Sequence, residues 1–281
     1  MVNKMSWYKS KILKKLFLET TDWNVAWKKD DSDRYEVIQN PEGYWLADSL
    51  VFSCYMGVFL FVEAFDKKEN IGKLAVLKYN GNSFTDFKII MEKPYHLSYP
   101  FVFEYNKEFY MIPETSDNDS IEIYKSINFP YEWKKEKKLL CGKYVDTTLY
   151  NLNGRINLFS YNVNEKILIK GNLNMLNLNI ENVLSKVDNE NKFRAGGNVF
   201  FSDGNYCRAV QNNKYFYGQS LYIIDCLNDE ILYEIIPTKI KNSINKKYRR
   251  LHTYSKSGDF EAIDLSDFKF NLLKIINKLK K

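Results

Sequence analysis

From residue 21 to residue 264, apolar and polar positions alternate along short runs rich in aromatic and β-branched residues, and each run stops at Asn, Asp or Gly. Successive side chains of a strand point to opposite faces, so a period of two reads as β-strands and the stops as hairpin turns. Asn80-Gly81-Asn82, Asn153-Gly154, Ser202-Asp203-Gly204 and Ser257-Gly258-Asp259 each separate a pair of such runs. These residues tolerate the positive φ that tight hairpin turns demand.

The hairpins recur along the chain. LADSLVFSCYMGVFLFVEAF starts at Leu46, LSYPFVFEYNKEFYMIPETS at Leu97, YVDTTLYNLNGRINLFSYN at Tyr144, RAGGNVFFSDGNYCRAVQN at Arg194 and LHTYSKSGDFEAID at Leu251. With Asp48, the Ser98-Tyr99 pair, Asp146, Gly196 and Thr253 as equivalent points, the step is about fifty residues, the scale of a propeller blade. A second strand pair follows the early hairpins, which places blades near 44–93, 96–142, 144–190 and 193–240. The fifth, 250–264, is short; DWNVAWKK, 22–29, is the strand available to complete it and to remove the open sheet edges. The predicted fold is therefore all-β, a five-bladed β-propeller over 21–264. A β-sandwich with a small second domain is the alternative, and the regular period counts against it.

The two ends follow a helical period instead. Met5, Tyr8, Ile12 and Leu16 share one face, and Leu265, Phe268, Leu272, Ile276 and Leu279 another, which predicts basic amphipathic helices over 1–20 and 265–281. Residues 1–18 carry +5 and residues 265–281 carry +4, so a chain of net charge +6 leaves its body at −3. A mildly acidic body makes a poor track for a phosphate backbone, and nucleic acid is not an expected partner. The basic ends suit either packing on the body with lysines outward or peripheral contact with an anionic membrane surface. The uncharged run from Ser49 to Val62 is too short to cross a bilayer, and lysines interrupt the apolar stretches of the N-terminus as no signal peptide allows. A cytoplasmic protein, peripheral at the inner face of the membrane, is the expectation.

Apolar residues at 45% and charged residues at 27% are ordinary for a folded chain, whereas the aromatic share of 16% favours both pleated strands and sugar binding. Cys54, Cys141, Cys207 and Cys226 lie far apart without a CxxC pair and read as buried thiols. With only His96 and His252 present, a three-histidine metal site is excluded. No motif marks a cofactor; a divalent metal held by carboxylates is compatible with the acids present but is specified by no spacing.

The first strand of each propeller blade lines the axis, so equivalent early positions converge on one mouth. This brings together Asp48, Ser98, Tyr99, Asp146, Arg194 and His252. The ends of the second strands add Glu63, Glu114 and Gln211, and His96 lies just ahead of the second blade. Such a funnel suits a carbohydrate, whose hydroxyls need polar partners and whose ring faces stack on aromatics.

LADSLVF, VEAF, HLSYPFVFEYNKEFYMIPETS, VDTTLY, RAGGNVF, YCRAVQN and HTYSKSGDFEAID together resemble the N-terminal propeller of the glucosamine inositolphosphorylceramide transferase family and its bacterial relatives, and more distantly the five-bladed glycoside hydrolases of the family-43 type. The resemblance implies a role in surface-polysaccharide or glycoconjugate synthesis. Asp48 and Asp146 match the two aspartates of those hydrolases, but Arg194-Ala195-Gly196-Gly197 stands where their acid glutamate is expected, so Glu114 or Glu63 would have to supply the proton. The leading expectation is a transferase of an activated (nucleotide) sugar, with Asp48, Glu114 or Asp146 as base and Arg194 and His252 on the donor phosphate. A glycan-binding module serving a partner glycan-assembly enzyme and a hydrolase with a relocated acid are the alternatives.

Overall fold

The computed structural model describes residues 18–188 and 193–270. The chain opens with β1 (Leu18–Thr20), β2 (Asn24–Lys29) and β3 (Glu36–Val37), followed by β4 (Tyr44–Cys54), β5 (Gly57–Asp66), β6 (Ile71–Tyr79) and β7 (Phe84–Met91). Next come β8 (Ser98–Tyr105), β9 (Glu108–Thr115), β10 (Ser120–Asn128) and β11 (Glu132–Cys141), then β12 (Tyr144–Leu152), β13 (Arg155–Asn162), β14 (Ile167–Asn174) and β15 (Asn179–Val187). The last strands are β16 (Ala195–Ser202), β17 (Asn205–Asn212), β18 (Ser220–Asp225), β19 (Ile231–Ile235), β20 (Tyr254–Ser257), β21 (Phe260–Leu265) and β22 (Phe268–Phe270).

These form five four-stranded antiparallel sheets, β4-β5-β6-β7, β8-β9-β10-β11, β12-β13-β14-β15, β16-β17-β18-β19 and β20-β21-β2-β3. This is an all-β, five-bladed propeller. The fifth blade takes β2 and β3 from the start of the chain, with Val25 opposite Asp264 and Trp27 opposite Ala262. Apolar clusters fill the spaces between blades: Val25, Trp27, Leu46, Val62 and Phe260 between the fifth and first, Phe61, Leu74, Val102 and Met111 between the first and second. The core is thereby spread around the ring, and the axis is left to polar groups.

At one end of the axis the inner strands share an irregularity. Register slips between Ala47 and Leu50, Ser98 and Phe101, Val145 and Thr148, and Ala195 and Val199. Asp48, Tyr99 and Asp146 adopt φ of 47°, 46° and 51°, and Gly197 lies at 144°. A bulge leaves a residue out of the ladder and re-aims its side chain, and a buried amide outside the ladder needs another acceptor. Other blades provide it: Asp48 N–H donates to Asp264 Oδ2 (3.0 Å), Tyr99 N–H to Asp48 Oδ2 (3.1 Å), and Gly197 N–H to the Tyr99 hydroxyl (3.1 Å). Gly197 has to be glycine, since a Cβ there would stand 1.7 Å from the Tyr254 carbonyl oxygen.

Tyr99 is fully buried, and besides accepting from Gly197 its hydroxyl lies 2.8 Å from Gly197 O and 2.7 Å from Thr148 Oγ1. Tyr99→Phe strands a buried amide and is expected to lower stability by about 1–3 kcal/mol. Urea unfolding of the two proteins measures it; equal midpoints would mean that the hydroxyl ties nothing together.

The sequence periodicity at the C-terminus misleads in part. Leu265 ends β21, and Phe268–Phe270 is a strand antiparallel to β1, not the start of a helix. Long-range pairing overrides the local period there: Thr21 N–H donates to Asp267 O, Asp267 N–H to Thr21 Oγ1, and the Ser266 hydroxyl to Thr21 O. The rest of both expected helices, 1–17 and 271–281, lies outside the described residues. Of the cysteines, Cys207 and Cys226 are buried, Cys54 is half-buried and Cys141 is exposed, so buried thiols describe only some of them.

Candidate functional site

The bulges and the strand ends beside them build three joined polar groups. In the first, His252 stands between two carboxylates, its Nε2 3.0 Å from Asp48 Oδ1 and its Nδ1 3.0 Å from Asp264 Oδ2. Asp264 also accepts the backbone N–H groups of His252, Thr253 and Asp48. Asp48 further accepts from Thr253 Oγ1 (3.0 Å) and Tyr99 N–H. Burial works against a charged imidazole, but Asp264 and Asp48 override it and hold the His252 pKa up at about 10. Burial likewise opposes ionisation of Asp48, yet the charge and hydrogen bond of His252, with Thr253 and Arg194, keep its pKa below the ordinary value.

Asp48, His252 and Asp264 are also the one set of three described residues whose donor atoms are close enough to share a metal ion. Each imidazole nitrogen lies 3.0 Å from a carboxylate oxygen and both carboxylates also accept N–H or O–H groups, while the buried Nδ1 makes no well-aligned hydrogen bond among the described residues. An imidazole protonated between the two acids would have no pair to give a cation, whereas a neutral one would.

The second group centres on Arg194, which enters just ahead of β16. Its Nε donates to Asp146 Oδ2, and its Nη2 is 4.0 Å from Glu114 Oε2. Gln211 Nε2 donates to Asp146 Oδ2 (3.3 Å) and to Ala195 O (2.8 Å). Glu114, paired with Ser98 across β8 and β9, accepts at Oε1 from Ser116 Oγ (2.8 Å), while its buried Oε2 has no hydrogen-bond partner among the described residues. Burial first, then the neighbouring Asp146 charge, raises the Glu114 pKa to about 8. Burial raises the Asp146 pKa as well, against the charge and hydrogen bond of Arg194, so of the two carboxyls the one bonded to Arg194 is favoured as the anion and Glu114 as the acid.

Glu63 and His96 form the third group. The carboxylate Oε1 of Glu63 lies 3.3 Å from His96 Nε2, and His96 Nδ1 accepts the Gly72 N–H (3.0 Å). Burial works against a charged His96 ring, but Glu63 overrides it and holds the His96 pKa up at about 8. Burial raises the Glu63 pKa against the pull of His96.

The structure thus gathers Asp48, Tyr99, Asp146, Arg194, Gln211, Glu114 and His252 at one end of the axis, with Glu63 and His96 beside Gly72 as the adjoining pair. His252 is walled in, whereas Arg194 keeps a quarter of its side chain exposed. Two features escape a reading of the hairpins alone. Asp264 lies near the end of the second strand of its blade as Glu63, Glu114 and Gln211 do, so the period itself marks it. Trp23 sits just ahead of β2: its ring is 4.2 Å from the His252 ring and 4.5 Å from the Arg250 guanidinium carbon. Nothing in the local sequence distinguishes it from a core tryptophan.

Comparison with known proteins adds the lineage. Residues 34–271 match the family described as glucosamine inositolphosphorylceramide transferase 1, N-terminal. The Oryza sativa subsp. indica protein of that name is 28% identical over 219 residues, 73% of this chain and 29% of its own length; the Arabidopsis thaliana protein is 33% identical over 112 residues, 39% of this chain and 15% of its own length. The chain thus spans less than a third of the plant proteins it matches. Among solved structures, the family-43 β-xylosidase/α-arabinofuranosidase CoXyl43 from a compost metagenome aligns at TM-score 0.56 with 10% identity, covering 83% of this chain and 93% of that one. The GH62 α-L-arabinofuranosidase catalytic domain of Coprinopsis cinerea aligns at 0.59 with 14% identity, covering 84% and 85%; at such identities the likeness is one of fold. By the match over most of its length, the chain belongs to the family of the N-terminal region of glucosamine inositolphosphorylceramide transferase 1.

Proposed function

We propose that the axial site binds the sugar of an activated donor and serves glycosyl transfer in the assembly of a surface polysaccharide or glycoconjugate. One arrangement carries the reading: the buried Oε2 of Glu114, without a hydrogen-bond partner among the described residues, stands 4.0 Å from Arg194 on a carboxyl whose pKa burial pushes up to about 8. An acid whose pKa lies near the working pH is matched to moving a hydroxyl proton. Glu114 is the acid–base group in this reading, Arg194 meets the anionic part of the donor through its terminal nitrogens, and Asp146 holds Arg194 in place. His252 and Asp48 support the site from beneath. The plant relatives are named transferases and the fold neighbours named above are glycosidases, which suits a sugar ligand.

A second reading, a non-catalytic glycan-binding module serving a partner enzyme, draws on the commitment of the aspartates. Asp48 is occupied by His252, Thr253 and Tyr99, and Asp146 by Arg194 and Gln211. Neither stands free to attack or to deprotonate. A hydrolase would use the same Glu114 proton and would release reducing sugar.

Calorimetric titration with a panel of nucleotide sugars tests the donor half. Binding to the wild-type protein is expected, with Arg194→Lys about tenfold weaker, because lysine keeps the charge but loses the planar fork. No heat with any nucleotide sugar would remove the donor-binding reading.

A further inference from the structure

One aromatic side chain at the site is unlike the rest. Tyr217 lies on the segment 213–219 between β17 and β18, and its ring centroid is 5.1 Å from that of His252. The guanidinium carbons of Arg194 and Arg250 stand 5.6 Å and 5.7 Å from the same ring, and Trp23 meets it edge-on at 6.2 Å. Amid these neighbours Tyr217 remains 40% exposed, whereas Asp48, Asp146 and His252 are each 6% exposed or less. A ring that touches the buried core of the site and yet faces solvent forms part of its accessible wall.

The segment carrying it is fixed at several points. Gly218 N–H donates to Asn213 Oδ1 (2.8 Å), Tyr215 N–H to Gln219 Oε1 (3.1 Å), and Leu251 N–H to Gly218 O (2.7 Å). Arg250 Nε donates to the carbonyl of Tyr217 itself (3.1 Å). Asn213 Nδ2 donates to Gln211 Oε1 (3.0 Å), and Gln211 is the residue that donates to Asp146, so one hydrogen-bond chain sets the ring and the Arg194 partner together. Gly218, at φ +76°, would put a Cβ 3.0 Å from the Trp23 ring, which keeps the turn close against the site wall.

We infer that Tyr217 is the platform on which the hexopyranose ring of the ligand stacks, with the anionic group next to it on Arg194; the substrate class is a hexopyranosyl phosphate. The inference rests on the sugar-site reading above and deepens it. The C–H face of a pyranose is weakly positive and matches the negative face of an aromatic ring. A ring already immobilised loses little entropy on binding. Arg194 uses Nε on Asp146, and its Nη2 stands 4.0 Å from Glu114 Oε2, beyond hydrogen-bond distance, so its terminal nitrogens retain capacity for an anion.

The test is calorimetry of hexose 1-phosphates, inorganic phosphate and uridine diphosphate against the wild-type protein, Tyr217→Ala and Tyr217→Phe, with thermal unfolding of each as the fold control. Expected are a loss of about 10- to 30-fold in hexose 1-phosphate affinity for Tyr217→Ala and retention within about threefold for Tyr217→Phe, with inorganic phosphate unchanged throughout. Equal hexose 1-phosphate affinity in Tyr217→Ala and wild type would overturn the assignment. So would an equal loss for inorganic phosphate, which would make Tyr217 a prop for Arg194, or a Tyr217 dependence confined to uridine diphosphate, which would make it a nucleobase platform. Wild-type protein that binds no hexose 1-phosphate would instead strike at the sugar-site reading itself.

Discussion

His252→Ala is expected to destabilise the fold by about 3–5 kcal/mol, because it leaves the buried carboxylates of Asp48 and Asp264 facing each other without the cation between them. Both acids are almost wholly buried, and each touches a different nitrogen of the ring. Asp48 comes from the first blade while His252 and Asp264 come from the fifth, so the imidazolium also ties the ring where the chain closes. The pH dependence has a definite sign. The folded pKa of about 10 lies above the ordinary 6.5, so the stabilisation is complete below about pH 6.5 and is lost as pH rises through 10. Denaturant unfolding of both proteins across that window should show the gap between them narrowing with rising pH. A constant gap would mean that the ring acts by packing alone.

Glu114→Gln is expected to separate chemistry from stability. If the carboxyl moves a proton, the amide should lower turnover by about 10²–10⁴-fold while sugar affinity stays within a few-fold, since glutamine keeps the shape and hydrogen-bonding of a neutral acid. A binding module would have no turnover to lose. Stability should respond in either case. The folded pKa of Glu114, raised to about 8 by burial and then by Asp146, exceeds the ordinary 4.5, so the wild type loses stability as pH rises from about 4.5 through 8. Glutamine cannot ionise, and above pH 8 Glu114→Gln should be the more stable protein, by on the order of 4 kcal/mol. Matching unfolding midpoints at pH 6 and at pH 9 would contradict a protonated Glu114.

The fold was legible because a propeller writes its architecture as a period. Hairpins about fifty residues apart place Asp48, Tyr99 and Asp146 at one bulge in three successive blades, and a sequence can display that spacing. Who bonds to whom was not legible. That His252 would be enclosed by Asp48 and Asp264 depends on how the fifth blade meets the first, a relation that no local pattern encodes. The same holds for Arg194, whose partner Asp146 is 48 residues away. Glu114 looked no different from Glu63 as a strand-end acid; its proton comes from depth and from Asp146, both properties of the assembled ring. Tyr217 sits between β17 and β18 and Trp23 just ahead of β2, where only packing distinguishes a wall of the site from ordinary filler. At the C-terminus the apolar spacing of Leu265 and Phe268 reads as helix, but pairing with Leu18–Thr20 decides for strand.

A neutral carboxyl beside a guanidinium at the axis underlies the proposed chemistry, and the carbon-13 shift of the Glu114 side-chain carboxyl, followed over about pH 4 to 10 with Glu114→Gln identifying the signal, reads it directly. A midpoint near 8 is predicted. A midpoint near the ordinary 4.5 would show the group ionised at neutral pH and would contradict the proposed chemistry of the site.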